Sequence, residues 1–151
     1  MNARPVLTTV ALLAGLTACA GIPLETRQDE QRARYESYAG APIQQFTWFG
    51  RYDSWEPIGT NELMVRATSA QAYLIRVAPP CENLEFTHRI EITSSANTVN
   101  AHFDFVKVGL RTGHWRCPIQ EIRPLDYLKM RQDMRKEVEQ QAKATRTDTG
   151  A

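Results

Sequence analysis

Two cysteines in the body of the chain, Cys81 and Cys117, are the residues whose type and separation point most directly to chemistry. If the compartment is oxidising, an even number of thiols is typical of a disulfide, and closing this loop would remove unfolded-state entropy worth about 4 kcal/mol. The alternatives are a metal site shared with histidines or a redox pair, but no CxxC, HxxxH or HExxH spacing supports them. We therefore predict a structural disulfide and no metal.

His102 and Asp104 are two residues apart, so both side chains can lie on one face of a strand. An imidazole and a carboxylate so placed form either an acid–base pair or an inward polar pair. His88 falls on the apolar face of an alternating segment, which favours a core histidine over a ligand. The sequence contains no G-x-S-x-G, S-x-x-K, phosphate-loop or dinucleotide motif. We therefore predict no catalytic residues and no cofactor.

The most unusual local feature is a group of aromatic residues interleaved with charges, namely Trp48, Phe49, Tyr52 and Trp55. Aromatic rings beside Arg51 and Asp53 can form a stacking surface for sugar rings or for a protein partner. Alternation also places Trp48 and Tyr52 on one face of a strand, as a β-core requires. The segment is therefore either core or a binding surface.

The N-terminus begins with one cation, Arg4, and an 11-residue apolar run, Val6–Leu16. A membrane-spanning helix needs about 20 residues, so this run is too short to remain as a span and fits a cleavable signal. It leads into Leu16-Thr17-Ala18-Cys19, which resembles the bacterial lipobox. We expect cleavage before Cys19 and acylation of its thiol. Ordinary secretion is the alternative, since the residues on both sides of Cys19 are small.

An acylated Cys19 would make the lipid bilayer the first partner. Each buried methylene contributes about 0.8 kcal/mol, so two or three acyl chains anchor a protein essentially permanently. Ala20 is not the aspartate that retains many lipoproteins in the inner membrane, which favours the outer membrane, facing the periplasm. With 18 Lys and Arg against 17 Asp and Glu, there is no electrostatic case for nucleic acid.

Around these residues the chain divides into four predicted segments. They are a signal peptide (1–18), a lipidated N-terminus with a polar tether (19–42), a β-domain (43–124) and a C-terminal helix with a frayed tail (125–151). The lead-in up to about residue 40 has charges at helical spacing but almost no apolar stripe. It is therefore either a solvated helix or a tether.

The β-domain carries strand signals in sequence. Residues 62–67 and 72–77 flank four polar or small residues and predict a hairpin. Residues 84–93 alternate, which predicts a half-buried strand with His88 inside. Two more strands are expected over 99–110 and, briefly, through Trp115, Cys117 and Ile119.

After Pro124 an apolar stripe at helical spacing predicts a helix whose first half packs on the β-domain; the stripe is Tyr127, Met130, Met134 and Val138. We therefore predict a mainly β (α+β) fold of five to six antiparallel strands with this C-terminal helix. A small barrel or rolled sheet is expected, because rolling protects the edge strands of a domain of this size.

Short ordered motifs make the chain resemble a family of uncharacterised small proteobacterial lipoproteins that bear a domain of unknown function. They are Cys19 in its lipobox, Trp55, Ala72-Tyr73-Leu74-Ile75, Cys81 with Leu84, Phe103-Asp104-Phe105-Val106, Cys117-Pro118-Ile119 and Ile122-Arg123-Pro124-Leu125-Asp126. The resemblance spans residues 43 to about 130. It implies a β-domain with two cysteines and no catalytic residues.

Taken together, these features lead us to expect a membrane-anchored periplasmic lipoprotein with a non-enzymatic envelope or partner-binding domain, whose partner would be an envelope protein. One alternative is a small-ligand or metal-binding module that uses His88, His102 or Asp104. A hydrolase-like enzyme is a further alternative, and it would need a cleft that joins His102 and Asp104 to a polar pocket.

Overall fold

The described part of the chain folds into a six-stranded antiparallel half-barrel, a two-stranded sheet and two helices, which confirms the mainly β prediction. The computed structural model describes residues 24–109 and 115–148, so the predicted signal and Cys19 lie outside the described residues. The elements in chain order are α1 (Leu24–Ser37), β1 (Gln45–Thr47), β2 (Ser54–Gly59), β3 (Glu62–Arg66), β4 (Ala72–Val77), β5 (Ile90–Ile92), β6 (Thr98–Asn100), β7 (Phe105–Val108), β8 (Trp115–Leu125) and α2 (Tyr127–Asp148). The large sheet has the order β2-β3-β4-β8-β7-β5, and β1 pairs with β6.

The predicted hairpin is the pair β3 and β4, in antiparallel register from Glu62↔Arg76 to Arg66↔Ala72. Its turn is closed by Thr68, whose hydroxyl accepts a hydrogen bond from the backbone N–H of Gln71 at 3.1 Å. Both faces of the hairpin are buried, which explains why its strands read as apolar runs rather than as alternating segments.

β8 is longer than the short strand expected through Cys117. Its 11 residues pair with β7 at the beginning and with β4 at the end, which places it at the centre of the sheet. A proline offers no N–H to the ladder, but the carbonyls of Pro118 and Pro124 still accept hydrogen bonds from Ala78 and Gly40, each at 2.8 Å. Both prolines are therefore accommodated within one long strand.

A disulfide joins Cys81 to Cys117, as predicted, with their Cα atoms 5.4 Å apart. Both cysteines are buried. The bond fastens the loop between β4 and β5 (residues 78–89, the β4–β5 loop) to the centre of the sheet.

Two apolar clusters lie on opposite faces of the sheet. The inner cluster fills the half-barrel and includes Trp48, Leu63, Ile75, Val106 and Ile119. The helix-side cluster lies under the two helices and includes Tyr35, Ile58, Met64, Leu74 and Met130. Alternate residues of β3 and β4 therefore supply different cores.

The C-terminal helix packs as expected. Met130 in its first half is 2% exposed, whereas Val138 is 64% exposed. The polar lead-in is also helical over 24–37, and it docks on the sheet through the buried Tyr35. The described part of the predicted tether is therefore a docked helix rather than a free spacer, because one aromatic ring anchors an otherwise polar segment.

The strand predicted over residues 84–93 is wrong in its first part. Only Ile90–Ile92 is a strand, and the preceding residues form a turn in which Asn83 has φ +63° and its carbonyl accepts the N–H of Thr87 at 3.0 Å. His88 is consequently exposed and not on an inner face. The segment alternates in sequence, but the disulfide at Cys81 and the turn at Asn83 decide its conformation.

Candidate functional site

The structure does not bring His102 and Asp104 together. His102 lies in the left-handed region with φ +70°, is exposed, and donates its backbone N–H to the carbonyl of Ile119 at 2.7 Å. Asp104 is 8% exposed, and its carboxylate accepts hydrogen bonds from Thr93 Oγ1 at 2.7 Å and from the N–H of Asn100 at 2.8 Å. The left-handed backbone at His102 breaks the alternation that would put both on one face. Through these hydrogen bonds Asp104 instead stabilises the loop between β6 and β7.

The residues considered for metal binding are scattered in the fold. His88 and His102 are exposed on separate loops, whereas Asp104 is buried with its own hydrogen-bond partners. Within residues 24–109 and 115–148, no group of three or more His, Cys, Asp and Glu side chains is placed to hold a metal ion. The alternative that uses these three residues therefore has no common site among the described residues.

The aromatic segment is divided between core and surface. Trp48 is 2% exposed, and Phe46 beside it stacks on Tyr73 with ring centroids 4.0 Å apart. Tyr52 and Trp55 are half-buried against the inner cluster, but Phe49 is 66% exposed. Trp48, Phe49, Tyr52 and Trp55 therefore do not form one stacking surface, because the strand alternation directs Trp48 inward.

A cleft of about 350 Å³ with charged and polar lining residues lies between α1, α2 and the edge strand β2. We call it the interhelix cleft. α1 lines it with Arg27, Gln31 and Tyr35, β2 contributes Glu56, and α2 contributes Met130, Arg131 and Met134. The spacing of Arg27, Gln31 and Tyr35 puts them on one face of α1, one turn apart.

The floor of the interhelix cleft is a hydrogen-bonded carboxylate. Tyr35 donates its hydroxyl to Glu56 Oε2 at 2.6 Å, and Gln31 donates its amide to Glu56 Oε1. Burial, reinforced by the hydrogen bond to Glu56, raises the pKa of Tyr35 far above its ordinary value. Tyr35 is therefore a neutral donor at any physiological pH.

The rim of the interhelix cleft is basic. Arg34 at one side forms an ion pair with Glu137 at 3.5 Å, which links the two helices. Arg27 and Arg131 also line the cleft, and among the described residues neither has an ion-pair partner within 4 Å. The cleft therefore combines guanidinium groups at its mouth with a carboxylate and methionines inside. Methionine side chains adapt to ligands of irregular shape.

Sequence reasoning missed the interhelix cleft because its two walls are about a hundred residues apart in the chain. The one local signal was the spacing of Arg27, Gln31 and Tyr35, which marks a helix face of mixed chemistry. Nothing in the chain indicated that α2 would cover that face.

The comparisons with known proteins give a family but no activity. A model described as a family of unknown function (DUF6491) matches residues 2–145. No curated protein and no solved structure matches the chain. Among the described residues no helix is long and apolar enough to cross a membrane.

Proposed function

We propose that this chain, which belongs to the DUF6491 family of unknown function, is a lipid-anchored protein of the bacterial cell envelope. The observation that carries the proposal is the sequence Leu16-Thr17-Ala18-Cys19 directly after a short apolar run. Acylation of Cys19 would tie the folded domain to the membrane. Ala20 after the cysteine favours the outer membrane, with the domain in the periplasm.

The disulfide supports an oxidising compartment. Disulfides persist in the periplasm and on cell surfaces and are rare in the bacterial cytosol, where thiols are kept reduced. Because both Cys81 and Cys117 are buried, their bond is protected from exchange with soluble thiols. Export of the chain and this bond are therefore mutually consistent.

We further propose that the anchored domain acts by binding a partner in the envelope and not by catalysis. The support for binding is the set of large apolar side chains that the domain presents to solvent, among them Phe49 and Phe103, which are 66% and 80% exposed. Exposed aromatic rings are common anchors in interfaces. Photocrosslinkers placed at Phe49 and Phe103 in living cells should capture one recurrent neighbour, and capture of no specific neighbour at either position would contradict the proposal.

The anchor is tested by labelling cells with radioactive palmitate. We expect label in the wild-type chain and none in Cys19→Ser, because the thiol that accepts the diacylglyceryl group is gone. Thr17→Ser is the matched control, since it keeps a small residue in the lipobox and should keep the label. Label that persists in Cys19→Ser would overturn the proposal.

A second candidate function is the capture of a small molecule in the interhelix cleft. The observation that favours it is the pair of arginines without ion-pair partners among the described residues, Arg27 and Arg131, beside the methionine wall. A ligand with an anionic group and an apolar body fits this lining. Laurate is a suitable probe of this class.

Thermal unfolding with and without laurate tests the second candidate. We expect laurate to raise the Tm of the wild-type chain and to raise that of Arg131→Gln much less. Arg135→Gln is the matched control, because Arg135 is exposed on α2 and does not line the interhelix cleft. Equal shifts in all three proteins would exclude the cleft as the binding site.

A further inference from the structure

α1 and the residues that follow it make different contacts at the two ends of the large sheet. At one end the C-terminal part of α1 is fixed by the carbonyl of Tyr38, which accepts the N–H of Asp126 at 3.0 Å. At the other end Arg32 forms an ion pair with Glu62, the first residue of β3, at 2.8 Å. From Arg32 back to Leu24 the helix runs for about 12 Å more in the direction of this end of the sheet.

The β4–β5 loop lies at the same end as the start of α1. β4 runs antiparallel to β3, so Val77, where β4 ends, is beside Glu62 and its neighbours. Gln28 in the first half of α1 donates its amide to Glu85 Oε1 in the loop at 3.3 Å. The residue after Glu85 is Phe86, whose side chain is 78% exposed.

Phe86 is held in solvent by an ordered turn. Leu84, two residues earlier, is 1% exposed and belongs to the inner cluster, and the disulfide fixes the loop at Cys81. The N–H of Phe86 and the N–H of Thr87 both donate to the carbonyl of Asn83. Little further ordering is therefore needed for the ring to make a contact.

The length of chain between α1 and Cys19 limits how far this end can be from the membrane. Only four residues lie between Cys19 and Leu24, and the five steps from one to the other span about 17 Å even when the chain is fully extended. If Cys19 is acylated, the start of α1 is held within that distance of the lipid surface. The exposed Phe86 is then on the side of the domain that faces the bilayer.

We infer that Phe86 inserts into the interface of the bilayer and acts as a second, non-covalent membrane contact beside the acylated Cys19. The inference rests on the proposed lipid anchor. Aromatic rings are favoured at the level of the lipid headgroups, and a second contact would fix the orientation of a domain that the lipid alone would leave free to rotate.

The charges beside Phe86 specify the kind of contact. Glu82 is exposed in the same loop, Glu85 precedes the aromatic ring, and Arg89 at the end of the loop is an exposed cation. Two carboxylates against one guanidinium group do not favour an anionic surface, so the contact is apolar insertion and does not depend on anionic lipid. Insertion is therefore expected in vesicles of phosphatidylethanolamine and phosphatidylcholine, without phosphatidylglycerol.

The chain offers a matched control at the opposite end of the sheet. Leu128 is 53% exposed in the first turn of α2, three residues after Leu125, which pairs with Ala72 where β4 begins. β4 runs from this end to the β4–β5 loop, so Leu128 is about one strand length from that loop. A tryptophan at 128 therefore samples the end of the domain that would face away from the bilayer.

The test is tryptophan quenching by brominated lipids in the lipidated full chain, reconstituted into these vesicles. Phe86→Trp should show added fluorescence, relative to the wild-type chain, that is shifted to shorter wavelength and largely lost when the acyl chains are brominated. The added fluorescence of Leu128→Trp should be unaffected. Equal quenching of both, or of neither, would overturn the inference.

A second measurement covers the case in which Phe86→Trp does not fold. A phospholipid with a photoactivatable acyl chain is incorporated with the wild-type protein, and the adducts are mapped by mass spectrometry. Adducts should lie in residues 82–89, and their absence from this range would overturn the inference. Palmitate labelling of the same preparations separates the proposed lipid anchor from the proposed Phe86 contact. If the protein carries the label but Phe86 does not contact lipid, only the Phe86 contact is refuted.

Discussion

The two faces of the large sheet are stabilised in different ways. The inner face is closed by large apolar side chains such as Leu63 and Ile75, both 0% exposed, and it carries the disulfide. The helix side instead combines a smaller apolar cluster with the hydrogen bonds of Glu56 and with ion pairs such as Arg34 to Glu137. Apolar packing and a covalent bond specify one arrangement, whereas polar contacts between two helices leave a cleft open. The comparison indicates that the inner face maintains the fold and that the helix side keeps the interhelix cleft.

The largest effect is expected from removing the disulfide on the inner face. Replacing both Cys81 and Cys117 by Ala should lower the free energy of unfolding by about 4 kcal/mol, because the unfolded chain regains the entropy of the 36-residue separation. Guanidinium unfolding followed by far-UV circular dichroism measures this change. A loss below about 1 kcal/mol would mean that the inner face does not depend on the covalent bond.

A matched pair of apolar truncations compares the two faces directly. Ile75→Ala on the inner face should cost about 3 kcal/mol, because a fully buried side chain leaves a cavity. Met134→Ala at the interhelix cleft should cost about 1 kcal/mol, since Met134 is half-buried and its neighbours can close around the gap. Equal losses in the same unfolding assay would remove the distinction between the faces.

Substitution of Asp104 tests whether its buried carboxylate stabilises the fold. Asp104→Asn keeps the shape of the side chain but weakens the hydrogen bonds from Thr93 and from the N–H of Asn100, so we expect a loss of about 2 kcal/mol. The control is His102→Gln, which should change stability little because His102 is exposed. If His102→Gln is as destabilising as Asp104→Asn, the two residues are coupled after all.

A small effect at neutral pH is expected at Tyr35 on the helix side. Tyr35→Phe removes the hydrogen bond to Glu56 and should cost about 1 kcal/mol. At high pH the effect reverses in sign. Burial raises the pKa of Tyr35 above its ordinary value of 10.0, so above pH 10 the unfolded chain releases a proton that the folded chain retains.

Stability of the wild-type chain should therefore fall as pH rises above about 10, and more steeply than that of Tyr35→Phe. Urea unfolding between pH 8 and about 11 measures both slopes. The slope is not expected to vanish in the variant, because burial also raises the pKa of Tyr73. If the free energy of unfolding falls equally steeply with pH in the two proteins, the pKa of Tyr35 is not raised in the folded chain.

Much of the inner face could be predicted from the sequence, because it follows from local pattern. The hairpin of β3 and β4 and the pairing of Cys81 with Cys117 both appear in the structure. The hairpin follows from two runs of β-forming residues on either side of a short segment, and the disulfide follows from the count of cysteines.

The helix side could not be predicted, because it is assembled from distant parts of the chain. α1 has one buried aromatic residue, Tyr35, and its hydrogen bond to Glu56 joins residues 21 positions apart. The turn at Asn83 and the left-handed backbone at His102 were missed for a related reason. A positive φ at a residue other than glycine is imposed by surrounding contacts and leaves no pattern in hydrophobicity.

The proposed anchor is tested most directly by mass spectrometry of the N-terminal peptide from protein extracted from cell membranes. Trypsin cleavage after Arg27 should release a peptide that begins at Cys19 and carries a diacylglyceryl group and an amide-linked acyl chain. That mass should be absent from Cys19→Ser. A peptide that begins at Ala20, or one that retains residues 1–18 without lipid, would contradict the proposal that this protein is held to the membrane by Cys19.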